Sequence, residues 1–100
     1  MAMIGKRLKH LRKKENLNQH EMAATFGMSR STYAGYENDD REPDFQTLIM
    51  MARYFGVTTD YLFGVSDIPF APYTMTSDEV KYIERSLDMY REIKNEYLQK

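Results

Sequence analysis

A glycine placed between two helix-start signals constrains the fold of this chain more than any other feature. Three apolar residues before it have the spacing of a short helix: Met22, Ala23 and Phe26. Gly27 follows directly, where a left-handed glycine can end a helix and turn the chain. Ser29 then offers a side chain that can cap a new helix. The sequence therefore predicts two short helices, at 19–26 and 30–37, joined by a sharp turn.

Helical spacing of apolar residues continues on both sides of this pair. Further helices are predicted at 2–15, 45–55 and 60–63. The first should bury Ile4, Leu8 and Leu11, and the fourth should bury Phe45, Leu48, Ile49, Ala52 and Phe55. The expected helix caps are Asn18, Ser29, Asp44 and either Thr58 or Thr59. Residues 1–64 are thus expected to form one all-helical domain.

Residues 65–76 have a different character from the chain on either side. They contain two prolines within four positions and show no periodicity, so they are interpreted as a linker. Their apolar members are expected to pack on another surface: Ile68, Phe70 and Tyr73. Thr76 and Glu79 then have the spacing of a capping box, which predicts a final helix over 77–100.

Composition excludes several function classes. The chain has no cysteine, so disulfides and thiolate chemistry are absent, which fits a reducing cytoplasm. Its apolar runs are far shorter than a membrane span. No phosphate loop or catalytic motif occurs, so neither an enzyme nor a bound cofactor is expected. The separation of His10 and His20 fits no compact metal site, and no metal is expected.

The charge distribution is more informative than the net charge of −1. The segment 6–15 holds six basic residues against the single acidic Glu15: Lys6, Arg7, Lys9, Arg12, Lys13 and Lys14. A basic helix face of this kind can bind phosphates, and it can equally be a solvated surface.

The residues around the glycine turn resemble the phage-repressor and xenobiotic-response-element family of helix-turn-helix regulators. The similar segments are 19–33, which reads QHEMAATFGMSRSTY, and then 36–38, 41–44, 52–57 and 60–64. The resemblance implies an all-α, five-helix repressor-type DNA-binding domain, followed here by the linker and a C-terminal helix. It also implies transcriptional repression by a homodimer bound to a near-palindromic operator on double-stranded DNA.

The resemblance also assigns roles to individual residues. The helix at 30–37 would enter the major groove and read bases through Arg30, Ser31, Thr32 and Ala34. Phosphates would be bound by Gln19, Ser29, Asn38, Arg41 and Lys13. Tyr33 stands at a buried aliphatic position of the family and is expected in the core.

Three residues depart from the family pattern. Gly35 replaces a long polar side chain of the reading helix and lowers helix propensity by about 1 kcal/mol relative to alanine. Asp39 replaces a glycine, although aspartate adopts the left-handed conformation less easily. Asp40 replaces a common lysine and would repel phosphate. Base recognition is therefore expected to depend strongly on Arg30.

The final helix carries an apolar seam formed by Val80, Ile83, Leu87 and Tyr90. Three interpretations fit this seam: dimerisation, folding back on the domain of the same chain, or binding of another protein. The competing function is correspondingly a protein-interaction module, of antitoxin or anti-repressor type, in which DNA binding is secondary.

Overall fold

The computed structural model describes residues 4–98, and this part of the chain is entirely helical. Its helices are α1 (Ile4–Lys14), α2 (Gln19–Thr25), α3 (Arg30–Glu37), α4 (Phe45–Phe55), α5 (Thr59–Phe63) and α6 (Ser77–Leu98), with a 3₁₀ turn at Pro72–Thr74. The all-α class and the order of helices predicted from the sequence are confirmed. The predicted helical residues 2–3 and 99–100 lie outside the described range.

Local side-chain chemistry starts most of these helices. The side chains of Asn18, Ser29, Asp44 and Thr58 each accept a hydrogen bond from the backbone N–H three residues later. Of the two threonines considered, Thr58 is therefore the cap of α5. Gly27 has φ 69°, so the left-handed turn predicted between α2 and α3 is present.

One core joins the first five helices. It consists of Ile4, Leu8, Leu11, Met22, Ala23, Phe26, Tyr33, Leu48, Met51, Ala52, Val57 and Leu62. The predicted inward faces of α1 and α2 are confirmed, and Tyr33 is fully buried as expected. Burial of each large apolar side chain contributes about 1.5–3 kcal/mol, which stabilises the arrangement of these helices around α3.

The predicted core face of α4 is wrong at two positions. Phe45 is 82% exposed and Ile49 is 44% exposed, whereas Met51 is fully buried. The buried face consists instead of Leu48, Met51 and Ala52. Burial in α4 thus begins at Leu48, and the first turn of this helix contributes no side chain to the core.

The chain beyond α5 leaves the core. The linker residues expected to pack are largely exposed: Ile68, Phe70 and Tyr73. The predicted capping box is present, since Thr76 N–H donates to Glu79 at 2.8 Å and Glu79 N–H donates to the Thr76 hydroxyl at 3.2 Å. α6 then extends away from the domain, and the described molecule is 58 Å long. Among residues 4–98, no helix has the length and apolarity needed to cross a membrane.

Candidate nucleic-acid interface

The two ends of α3 differ sharply in exposure. Arg30 and Ser31 in its first turn are exposed, and Thr32 and Ala34 are half-buried. Further along the helix, Tyr33, Gly35 and Glu37 are buried. The helix therefore exposes its N-terminal turn while its C-terminal half is packed into the domain, as a helix that enters the major groove with its N-terminal residues requires.

A buried ion pair anchors the far end of α3. The Arg12 guanidinium donates to the Glu37 carboxylate at 2.7 and 3.1 Å, and their side chains are 10% and 1% exposed. Arg12 also donates to the carbonyl of Leu17 at 2.8 Å, and the Gln19 amide donates to Glu37 at 3.2 Å. One carboxylate thus links α1, α2 and α3, which fixes the angle between the helices of the turn.

The electrostatics of this cluster favour the ionised pair. Burial by itself raises the pKa of Glu37, but hydrogen bonds, first from Arg12, outweigh it and leave that pKa lowered. The hydrogen bond with Glu37 raises the pKa of Arg12. Burial raises the pKa of the Tyr33 hydroxyl strongly, and the neighbouring Glu37 carboxylate raises it further. The buried Tyr33 hydroxyl has no hydrogen-bond partner, so Tyr33 is a neutral core residue.

Gly35 allows a side chain from the following loop to lie against α3. A Cβ at Gly35 would stand 3.1 Å from both Cγ and Cδ of Arg41, so the stem of Arg41 crosses the helix at this point. The carbonyl of Gly35 also accepts hydrogen bonds from the N–H groups of Asp40 at 2.9 Å and Arg41 at 3.2 Å. The side chain of Arg41, a cation from the loop, thus occupies the space beside α3 that a side chain at position 35 would fill. The sequence did not indicate this contact.

Asp39 adopts a left-handed backbone conformation, at a position where the resembled family has glycine. Its φ is 61°, in the left-handed region that aspartate enters at some cost. Its carboxylate accepts a hydrogen bond from the N–H of Gly5 at 3.2 Å, at the first turn of α1. The departure from glycine at this position therefore adds a contact between the end of α3 and the start of α1.

The predicted phosphate-binding residues are distributed around α3. Ser29 caps the helix: its hydroxyl accepts from Thr32 N–H at 3.2 Å and donates to the Thr32 hydroxyl at 2.9 Å. Asn38 follows the last turn of α3 and is exposed. Gln19 begins α2 and is tied to the end of α3, whereas Lys13 is exposed on α1. These side chains come from three helices that the Glu37 cluster holds together.

Two of the six basic residues in segment 6–15 are not free to bind phosphate. Arg12 is enclosed with Glu37, and Arg7 forms an ion pair with Asp67 at 2.8 Å. The remaining cations of this segment are exposed: Lys6, Lys9, Lys13 and Lys14. No group of three or more metal-binding side chains occurs within the described part of the chain.

The seam of α6 is uncovered in the single chain. Val80 is half-buried, while Ile83 is 41%, Leu87 40% and Tyr90 61% exposed. Within residues 4–96 the seam is thus open in the single chain, and dimerisation, folding back and binding of another protein stay predictions. Near the start of α6, Tyr82 and Ile83 border a cleft of about 540 Å³ that reaches Gly56 at the end of α4.

Comparison with known proteins identifies relatives of the N-terminal part. The helix-turn-helix family matches residues 8–62. The uncharacterised HTH-type transcriptional regulator YobD of Bacillus subtilis is 36% identical over 67 residues, covering 67% of this chain and 60% of the relative. The HTH-type transcriptional regulator ImmR of the same species is 37% identical over 65 residues, covering 65% and 51%.

Similarity also extends to a phage protein and to a solved structure. The cryptic phage CTXphi transcriptional repressor RstR of Vibrio cholerae is 33% identical over 55 residues, covering 55% of this chain and 50% of the relative. These matches span between half and 60% of the length of the three curated relatives named. A crystal structure of a transcriptional regulator from Listeria innocua covers 97% of both chains with a TM-score of 0.61 at 21% identity, a likeness of fold.

Proposed function

The chain belongs to the helix-turn-helix family, and we propose that it is a sequence-specific DNA-binding transcriptional regulator that represses by blocking promoter access. It would act in the cytoplasm, as a homodimer on a near-palindromic operator. The observation that carries the proposal is the exposed first turn of α3, with Arg30 and Ser31, on a helix whose C-terminal end is held by the buried Glu37 cluster. A reading helix must be both accessible and rigidly oriented.

Base recognition would be centred on Arg30. Its guanidinium can donate two hydrogen bonds to guanine in the major groove, each such pair discriminating by about 1–3 kcal/mol. Ser31 can donate or accept, and the methyl groups of Thr32 and Ala34 can contact thymine. The half-burial of Thr32 and Ala34 supports a secondary contribution from them.

Phosphate contacts would flank α3. Gln19 and Ser29 stand at the N-terminal ends of α2 and α3, where backbone N–H groups and the helix dipole favour an anion. Asn38 and Arg41 follow α3, and Lys13 adds a cation from α1. These contacts would set the register on the duplex, while the bases determine the sequence preference.

Dimerisation would use α6. Its exposed seam, formed by Val80, Ile83, Leu87 and Tyr90, needs a covering surface. A second α6 provides one by symmetry, because a two-fold interface pairs a surface with its own copy. Two reading helices related by that axis would match two half-sites about 34–36 Å apart.

The test is selection of bound duplexes from a random DNA library at near-physiological salt. We expect a near-palindromic site with half-sites about one helical turn apart. Arg30→Ala should abolish preference among sequences, whereas Lys13→Ala should weaken binding to all sequences alike and reduce the salt dependence. Unchanged preference in the Arg30 variant would overturn the assignment of α3, and absence of any enriched sequence would overturn the regulator proposal.

A second candidate function is a protein-interaction module of antitoxin or anti-repressor type. It is favoured by the exposed acidic residues of the loop after α3, Asp40 and Glu42, which would repel phosphate, and by the uncovered α6 seam. Under this alternative the purified chain binds DNA weakly and without sequence preference until a protein partner is added. The same library selection, with and without the partner, separates the two functions.

A further inference from the structure

The side chain of Arg7 binds the segment that follows α5. Its Nη1 donates to the carbonyl oxygens of Tyr61 at 2.8 Å and Ser66 at 2.7 Å, and its Nη2 donates to the Asp67 carboxylate at 2.8 Å. The guanidinium carbon lies 4.1 Å from the centre of the Tyr61 ring, and the Arg7 side chain is 11% exposed. This arginine is thus enclosed between α1, α5 and residues 65–70, here named the strap.

Backbone hydrogen bonds hold the strap at its two ends. The N–H of Val65 donates to the carbonyl of Asp60 at 2.9 Å. At the other end, the N–H of Thr58 donates to the carbonyl of Pro69 at 3.0 Å. The N–H of Ser66 also donates to the Asp60 carbonyl, at 3.3 Å. Arg7 binds between the two ends and ties the strap to α1. Polar contacts, rather than the apolar residues of the strap, therefore join it to the domain.

Hydrogen-bonded turns continue from the strap to α6. The Thr74 hydroxyl accepts from Ala71 N–H at 3.0 Å and donates to the Ala71 carbonyl at 2.8 Å. The Met75 N–H donates to the carbonyl of Pro72 at 3.2 Å, and the capping box at the start of α6 follows. These local turns order the chain between the strap, which Arg7 and Thr58 hold on the domain, and the start of α6.

We propose that Arg7 determines which half-site spacing the protein accepts, because together with the Thr58–Pro69 hydrogen bond it holds the strap through which α6 leaves the domain. This inference rests on the proposed dimer through α6. In such a dimer the α6 pair lies on the two-fold axis, so the exit angle of each α6 sets the distance and rotation between the two reading helices. One added base pair displaces a half-site by about 3.4 Å and rotates it by about 35°. A rigid strap tolerates neither change, and Arg7 acts as a positioning residue without touching DNA.

The test uses duplexes that carry two copies of the selected half-site, with the spacing varied one base pair at a time. For the full-length protein we expect affinity to fall on the order of tenfold when one base pair is added or removed, since one arm loses its base contacts. In Arg7→Ala this ratio should drop below about threefold, with affinity for a single half-site retained. The matched control is Lys6→Ala, which removes an exposed charge from the same helix and should keep the original ratio.

A spacing ratio in Arg7→Ala equal to that of the unsubstituted protein would overturn the inference. Equal affinity of the unsubstituted protein for one half-site and for a pair would instead overturn the dimer on which it rests. Arg7→Lys keeps the positive charge but not the planar guanidinium that forms three hydrogen bonds, so it should also lower the spacing ratio. It replaces Arg7→Ala as the test variant if Arg7→Ala does not fold.

A measurement without DNA keeps the two failures distinct. Because the chain has no cysteine, spin labels can be placed on cysteines introduced at the exposed positions Lys14 on α1 and Arg85 on α6. With excess unlabelled protein, only distances within one chain are measured. We expect a narrow distance distribution that broadens in Arg7→Ala and Arg7→Lys but not in Lys6→Ala. Equal widths in all four proteins would overturn the role of Arg7 whatever the oligomeric state.

Discussion

The domain formed by residues 4–64 and the helix α6 use apolar residues at similar spacing with opposite results. In the domain these residues face one another, and among the residues whose burial is described, 4–96, the buried hydrophobic side chains all lie between Ile4 and Leu62. In α6 the residues at helical spacing remain open, with Leu87 40% and Tyr90 61% exposed. Apolar residues at helical spacing therefore identify the apolar face of a helix. Whether that face packs on the same chain depends on the direction in which the connecting segment places the helix. The domain covers its own apolar residues, whereas the apolar residues of α6 stay exposed in the single chain.

The largest expected effect tests whether the domain depends on its own internal ion pair. Arg12→Met leaves the Glu37 carboxylate buried without its partner, and we expect the free energy of unfolding to fall by about 3–5 kcal/mol. Urea denaturation at pH 7 measures it. The matched control is Lys13→Met, which removes an exposed cation and should change stability by less than about 0.5 kcal/mol. Equal stability of the two variants would show that the pair does not hold the domain.

The same pair should make the domain sensitive to acid. The pKa of Glu37 is lowered in the folded chain, so its contribution to stability is complete above the ordinary value of 4.5 and is lost as the pH falls through the folded value. We therefore expect Glu37→Gln to be less stable than the unsubstituted protein at pH 7, with the difference narrowing below about pH 4.5. Urea denaturation at a series of pH values gives this difference, and a constant difference would contradict the prediction.

Disruption of the α6 seam should weaken dimerisation without changing the stability of the domain. Leu87→Asp places a charge in the proposed dimer interface and removes apolar burial of about 1.5–3 kcal/mol, so the dimer should weaken at least about tenfold. The domain should unfold at an unchanged urea concentration. Met89→Asp, on the other side of α6, is the control and should remain dimeric. Sedimentation velocity distinguishes the outcomes, and equal association of both variants would exclude the seam as the interface.

Local chemistry explains which features of the domain could be predicted from the sequence. The left-handed turn at Gly27 and the caps at Ser29 and Asp44 depend on residues only a few positions apart, and the structure has all of them. The core faces of α1 and α2 followed from spacing alone. The base-reading role of Arg30 and Ser31 followed instead from the family resemblance; both are exposed in the first turn of α3, and their role stays a prediction.

Features that depend on distant parts of the chain could not be predicted in this way. Arg12 belongs to the basic segment by sequence, yet its partner Glu37 lies 25 positions away. The partner of Arg7, Asp67, is 60 positions away, so a polar tie replaced the apolar packing expected of the linker. Phe45 has helical spacing with the buried face of α4 but is 82% exposed at the start of that helix. In each case the three-dimensional approach of two elements, rather than the local pattern, decides the environment.

A smaller effect is expected where the end of α3 meets the start of α1. Asp39→Ala loses the hydrogen bond from Gly5 N–H and keeps a left-handed backbone that alanine adopts poorly, so we expect a loss of about 1–2 kcal/mol. Asp39→Gly loses the same bond but relieves the backbone cost, and its stability should lie within about 0.5 kcal/mol of the original. Urea denaturation of both variants tests the ranking. Because this contact lies inside the domain, association through α6 should be unchanged in each.

The smallest expected change in stability concerns Gly35, where the domain uses a missing side chain to seat Arg41. Gly35→Ala gains up to about 1 kcal/mol of helix propensity, offset in part because its Cβ would stand 3.1 Å from the Arg41 stem and must displace it. Stability should therefore rise slightly or stay level. If Arg41 contacts phosphate from this seat, operator affinity should fall in Gly35→Ala about as far as in Arg41→Ala, and the double variant should lose little more. Additive losses would mean that the two positions act independently, since coupled neighbours deviate from additivity. Dimerisation should not change in any of these variants, because Gly35 and Arg41 lie outside α6, the proposed dimer interface. Unchanged dimerisation would show that the reading helix and α6 act separately.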